Sequence, residues 1–286
     1  MTSTETSQKR GVFAWLRGFA VRSGVGAVMI AVIALSLWLC HWVLVALIAA
    51  FMALAVHELA SAAALHGHKP PWVVVAIGGA GLLIVEYGGW LGDIFTVGFI
   101  GCALLILVVM AWRLRGPVEG YMTDVGIAAL MIAYLPLLLT FVMAIMRGAH
   151  PVGQMATLIT VTVLGGDSGA YIVGSFIGRH KLAPHISPAK TWEGIGGAIV
   201  FAGVAGTLLG IFVLGAPWWQ GALLGVVLGG IGAIGDLVES AIKRDVGVKD
   251  MGKLLPGHGG AMDRLDSILF CAPFAWAIMN LWMAQA

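Results

Sequence analysis

Charge is what this sequence has least of. Its 286 residues include 16 lysines and arginines and 14 aspartates and glutamates, 10% in all, where a soluble domain carries about 25%. Apolar side chains make up 60% of the chain and the mean hydropathy is +0.97. A soluble globular domain and a disordered chain are both excluded, and a polytopic membrane protein is expected instead. The net charge is +2 and the basic residues fall in short clusters between apolar runs, so no nucleic-acid partner is expected. Cysteine is scarce too. Cys40, Cys102 and Cys271 each lie in an apolar run with no CxxC spacing, which excludes a disulfide framework and a cysteine metal site. A removable leader is not expected either: the polar first twenty-odd residues end in Lys9, Arg10, Arg17 and Arg22, then run into one apolar stretch after another, as an uncleaved anchor would. "LSLWLC", ending at Cys40, lacks the small residue that an acylated cysteine needs before it.

What is present is long apolar stretches. A membrane span takes about 20 residues, and breaks at charge, proline and glycine predict nine spans, at 24–40, 41–65, 71–88, 94–112, 122–146, 153–178, 192–214, 218–242 and 262–284. The first two meet at Cys40-His41 as either two helices or one long bent one. With the N-terminus cytoplasmic, every lysine and arginine except Arg147 falls on the cytoplasmic side, the asymmetry that membrane insertion imposes. The expected fold is therefore all-α, about nine transmembrane helices with the N-terminus inside and the C-terminus outside. It divides into a cytoplasmic tail at 1–23, an N-terminal region at 24–150 and a C-terminal region at 151–286. Two cytoplasmic loops, 179–191 and 243–261, are rich in charge, glycine and proline.

Seven carboxylates lie within or beside the spans: Glu58, Glu86, Asp167, Asp236, Glu239, Asp263 and Asp266. Each would cost about 2.5–3.5 kcal/mol at a bilayer centre, so they are expected to face a cavity or a ligand. Asp236 and Glu239, and Asp263 and Asp266, are three apart, one face of a helix for each pair. Clustered carboxylates repel unless a cation joins them, and oxygen ligands suit Mg²⁺. The alternative is neutralisation by Lys243, Arg244 or Arg264. Gly259 and Gly260, opening a helix, leave backbone N–H groups and a positive dipole end for an anion. Lys243, Arg244, Lys249, Lys253 and His258 surround the same loop. The combination fits a nucleotide polyphosphate held through Mg²⁺. The other loop, "GRHKLAPHISPAKTWEG", adds Arg179, Lys181, Lys190 and Glu193, and Trp192 either stacks a base or marks the membrane interface. "GDSGA" lacks the positioned partners of a catalytic triad, and "HELAS" at 57–61 has Ser61 where a zincin needs its second histidine.

"SAIKRDVGVKDMGKLLPGHGGAMDRLDS", 240–267, closely resembles the signature of the phosphatidate cytidylyltransferases, or CDP-diacylglycerol synthases. Ser240, Lys243, Arg244, Lys249, Asp250, Pro256, His258, Gly259, Gly260, Asp263, Arg264 and Asp266 all fit it. "ISPAKTWEG" at 186–194, containing Ser187, Lys190, Thr191 and Glu193, is similar to a second family motif, and "GDSGAY" and "GDLVES" also match. The resemblance implies a membrane enzyme making CDP-diacylglycerol and pyrophosphate from CTP and phosphatidate, with Mg²⁺, often a second cation such as K⁺, and usually a homodimer. It puts Asp236, Asp263 and Asp266 at metal positions, with Glu239 beside them. The expected catalytic group is Asp263, Asp236, Lys243 and Arg264. Lys243, Arg244, Lys249, Asp250, Lys253, His258, Gly259 and Gly260 are expected to hold the nucleotide. Arg179 and Lys190 are expected to draw in the lipid headgroup, and Ser187, Thr191, Glu193 and Asp167 to complete the polar cavity. The expected site faces the cytoplasm from the inner membrane. Two rivals remain: a CTP-dependent enzyme using an archaeal or polyprenol-type lipid, and a secondary transporter, against which the missing inverted repeat counts.

Overall fold

The computed structural model describes residues 31–33, 35–252 and 260–282. The tail at 1–23, most of the first expected span, and Lys253, His258 and Gly259 lie outside the described residues. The architecture is helical: α1 His41–Ala64, α2 Trp72–Gly88, α3 Phe95–Arg113, α4 Tyr121–Met146, α5 Pro151–Ile177, α6 Trp192–Phe212, α7 Trp218–Asp245, and α8 Met262–Trp276, continued by a π turn at Ala277–Trp282. Among the described residues, six helices (α1 and α3 to α7) are long and apolar enough to cross a membrane, and α2 is an apolar helix of 17 residues. The protein is an all-α membrane protein.

Cys40 decides the ambiguity at the first boundary. Its φ of −162° and ψ of 102° are extended, so helical residues 35–39 and α1 are two helices rather than one bent one. Leu135 (φ −103°, ψ −74°) breaks α4 just before Pro136, which has no N–H to continue the ladder. One expectation is corrected: the loop at 179–191 contains a β-hairpin, β1 Lys181–Ala183 and β2 Ser187–Thr191, antiparallel with Lys181 opposite Thr191 and Ala183 opposite Ser187.

Buried ion pairs fasten the ends of helices. Arg113 Nε donates to Asp124 Oδ2 at 2.9 Å, while Asp124 Oδ1 accepts from Lys69 N at 2.7 Å. One aspartate thus joins the α1–α2 loop, the end of α3 and the start of α4. Arg147 donates to the Glu86 carbonyl at 3.0 Å and to Glu86 Oε1 at 3.2 Å. Glu86 therefore serves an ion pair with Arg147, which corrects its expected role as a cavity-facing carboxylate.

The core of the C-terminal half is built on the absence of side chains. Gly221, Gly225 and Gly229 recur every four residues along one face of α7, against Ala198, Ala202, Gly206 and Gly210 of α6. A Cβ on Gly225 would fall on the Ala202 carbonyl, and one on Gly210 would lie 2.8 Å from the Gly221 Cα. Small residues let the two backbones touch, which is how membrane helices pack without a hydrophobic driving force between them. The π turn of α5, Leu164–Gly169, joins the same contact, since a Cβ on Gly169 would lie 2.8 Å from the Gly197 carbonyl. This three-helix wedge fixes the face of α7 that carries Asp236 and Glu239.

Candidate active site

Helices α7 and α8 supply the acidic side chains. Gly235 on α7 lets them approach, because a Cβ there would lie 2.9 Å from the Asp266 carbonyl. Carboxylate oxygens of Asp236, Glu239 and Asp266 then fall within 4.8 Å of one another. Ligands of Mg²⁺ lie about 2.0–2.1 Å from the ion, so their oxygens stand about 3–4 Å apart; the cluster needs only small side-chain adjustments to meet that. Glu239 Oε1 is buried and has no hydrogen-bond partner among the described residues. An orphaned buried carboxylate oxygen costs free energy unless something fills the place, and the donor set suits a hard divalent cation.

Asp263 faces the same group but is engaged differently. Lys243 Nζ lies 2.6 Å from Asp263 Oδ1 and 2.5 Å from Glu239 Oε2, and the Gly260 N–H donates to Asp263 Oδ2 at 2.6 Å. The ion-pair alternative weighed for these carboxylates is thus realised at Asp263 and Glu239, while Asp236, Glu239 and Asp266 form the cluster with metal-ligand spacing.

The hairpin closes the other side. Lys190 Nζ reaches within 2.7 Å of Asp236 Oδ2, but the approach is poorly aligned for a hydrogen bond, and the buried ammonium has no hydrogen-bond partner among the described residues. Arg244 Nε donates to the Ile186 carbonyl at 3.1 Å, so α7 grips the hairpin turn. The Thr191 hydroxyl caps α6 by accepting from Gly194 N at 3.1 Å, the usual job of threonine before a first helical turn. Glu193 accepts from the backbone N–H groups of Arg179 and His180 and lies 2.6 Å from His180 Nδ1. These contacts hold the hairpin's entry against α6.

Between the hairpin and α5, α7 and α8 lies a cavity of about 530 Å³, within the span of about 300–1,000 Å³ usual for small-molecule sites. Ser187, Lys190, Thr191 and Asp236 line it, together with Tyr171, Ser175 and Ser267, which sequence reasoning did not single out. Tyr171 and Ser175 are four apart just after "GDSGA", and Ser267 follows Asp266; helical spacing from the named residues was the available signal. Asp167 lies in the π turn of α5, next to Gly166 of the cavity wall. Lys249 and Asp250 are exposed on the turn after α7. Arg179 and Trp192 are not among the cavity-lining residues, and Trp192 is exposed. Arg264 is not brought to the cluster. With Leu265 and Ile268 it borders a separate apolar groove of about 240 Å³.

Carboxylates from two helices, set beside two part-buried lysines at a cavity within apolar helices, define a helical membrane protein with a candidate cation-and-phosphate site. Comparison narrows the class. The profile of the Cytidylyltransferase family matches residues 20–282. The phosphatidate cytidylyltransferase of Mycobacterium leprae is 36% identical over 282 residues, 92% of this chain and 86% of that protein. The enzyme of the same name from Brucella suis biovar 1 is 39% identical over 195 residues, 67% of this chain and 66% of that protein. That of Bacillus subtilis is 47% identical over 123 residues, 43% of this chain and 46% of that protein. This chain belongs to the cytidylyltransferase family.

Proposed function

We propose that the protein is a phosphatidate cytidylyltransferase, joining CTP and phosphatidate to give CDP-diacylglycerol and pyrophosphate. The observation that carries the reading is the meeting of Asp236, Glu239 and Asp266 with Lys190 and Lys243 beside the cavity, in a chain of this family. The lipid brings its own nucleophile. A phosphate oxygen of phosphatidate attacks the α-phosphorus of CTP, the bond from that phosphorus to the β-phosphate bridging oxygen breaks, and pyrophosphate leaves with the electron pair. No covalent enzyme intermediate is needed, so the residues serve to position reactants and balance charge.

Asp236, Glu239 and Asp266 would hold Mg²⁺, whose chemistry here is neutralisation of phosphate charge. Lys190 offers N–H groups to a phosphate from the hairpin side. Lys243 bridges Asp263 and Glu239, and Asp263 accepts from the Gly260 N–H just before α8. Arg244, Lys249, Lys253, His258 and Gly259 complete the nucleotide's surroundings in this reading, and Arg179 attracts the anionic headgroup at the interface. The expected anion place at Gly260 is corrected, because its N–H is taken by Asp263 and the two amides after it by Glu58. Nine spans with an inward N-terminus, a cytoplasmic site in the inner membrane, catalysis assigned to 151–286, a homodimer and a second cation such as K⁺ belong to the same proposal. Its support for topology is the distribution of basic residues.

The test is transfer of label from α-³²P-CTP into the organic phase by purified protein with phosphatidate and Mg²⁺, beside Asp266→Asn. Labelled lipid from the wild type and at least about a hundredfold less from the variant is expected, since a ligand at the charge-neutralising centre is removed. CTP binding without labelled phosphatidate would point to another lipid acceptor, and no CTP binding by folded protein would overturn the reading.

A further inference from the structure

The glutamate of "HELAS" has no zincin role, but it is not idle. Glu58 lies on α1, six residues before that helix ends, and its carboxylate reaches the start of α8. Oε1 accepts from the Ala261 N–H at 3.0 Å and Oε2 from the Met262 N–H at 3.1 Å, across more than 200 residues of chain. The first N–H groups of a helix have no partner within it, and they form its positive end; a carboxylate from another helix satisfies both needs. No lysine or arginine among the described residues pairs with Glu58. The backbone is shaped around it: a Cβ added at Gly252 or Gly260 would fall on the carboxylate itself. Gly260 is also the residue whose N–H donates to Asp263. Glu58 therefore touches the segment that carries Asp263 and leads to Asp266, yet is not among the residues lining the cavity.

We infer that Glu58 is a positioning residue for the reaction proposed above: by holding the first turn of α8, it sets Asp263 against Lys243 and Asp266 against Asp236 and Glu239. The inference rests on that functional reading for its catalytic part and on the two hydrogen bonds for its structural part. A clamp that only stabilised the fold would lower the melting temperature and leave the metal dependence of the surviving folded enzyme unchanged. A positioning residue changes both the turnover and the cation concentration needed to reach it.

The experiment compares purified full-length wild type, Glu58→Gln and Glu58→Ala. Glutamine keeps the size but turns an NH₂ group toward one of the two amide donors, so one bond is lost; alanine loses both. Turnover per folded enzyme is expected to fall about tenfold in Glu58→Gln and about a hundredfold in Glu58→Ala, with a severalfold rise in the Mg²⁺ concentration for half-maximal rate, the scale found when groups supporting metal ligands are removed. Hydrogen exchange of the Ala261 and Met262 amides is expected to quicken in both. Wild-type turnover and Mg²⁺ dependence in the variants would overturn the positioning role, and unchanged exchange at the two amides would overturn the cap. If Glu58→Ala does not fold, Glu58→Gln decides by the same measurements. If the wild type itself transfers no label to phosphatidate, the functional reading fails instead. Amide exchange and Mn²⁺ binding, measured on wild type and Glu58→Gln, then decide the role of Glu58 without it.

Discussion

Lys243 stands between two carboxylates, 2.5 Å from Glu239 and 2.6 Å from Asp263, with little of its side chain exposed. Replacing it with methionine keeps the bulk and removes the charge, leaving two negative groups facing each other at low dielectric. Breaking such a buried pair costs about 3–5 kcal/mol. Lys243→Met is therefore expected to lose stability in a detergent melt and at least about a hundredfold in label transfer. Lys243→Arg, which keeps the charge in a differently shaped group, should retain more of both. Asp236→Asn makes a separate expectation. It removes one oxygen ligand and frees Lys190, so half-maximal rate should require about 10–100-fold more Mg²⁺, read from a Mg²⁺ titration at saturating CTP. At this scale the acidic pairs were legible because three-residue spacing on a helix forces them to share a face. The partners were not. Glu58 meets amides 203 and 204 residues away, and Glu86 meets an arginine 61 residues away. Local sequence shows that such a carboxylate is expensive in a membrane, not what settles it.

The α6–α7 contact makes its own demand on the elements. A leucine at Gly225 would have to occupy the place of the Ala202 carbonyl, so the helices must separate and the Asp236 face of α7 must move. Gly225→Leu is expected to lower the melting temperature sharply and abolish transfer, while Gly230→Ala on the same helix, where a Cβ meets nothing within 4 Å, should change neither. Differential scanning fluorimetry beside the label assay checks both. The hairpin is held less tightly. Thr191→Ala removes the cap of α6, a loss of about 1 kcal/mol, and should shift the melt by only a few degrees. Helix bounds were readable because apolar runs end at proline, glycine and charge. The hairpin was not, since a three-residue and a five-residue strand leave no periodicity to read. It exists because Arg244 and Lys190 tie it to α7, contacts between segments about 50 residues apart. The π turn of α5 was equally hidden, depending on glycines whose importance appears only when α6 is laid against them.

Over the whole molecule, the proposed orientation puts Lys181 inside and Ala149 outside. In a Cys40→Ala background, which leaves only the buried Cys102 and Cys271, a membrane-impermeant maleimide added to intact cells is expected to label Ala149→Cys and not Lys181→Cys. The reverse pattern would invert the topology. The bridge from α1 to α8 also orders events in time. Glu58 is made more than 200 residues before the amides that it binds, and at about 5–20 residues per second a ribosome takes about ten to forty seconds to supply them. Through that interval the glutamate waits without its eventual donors, and the last helix arrives to find its docking point already in place. The acidic cluster is completed only when α8 is added, so a chain cut short before residue 262 lacks the Met262 amide that Glu58 binds, Asp266 of the cluster and Asp263 beside it. An unfinished chain therefore lacks the complete acidic cluster.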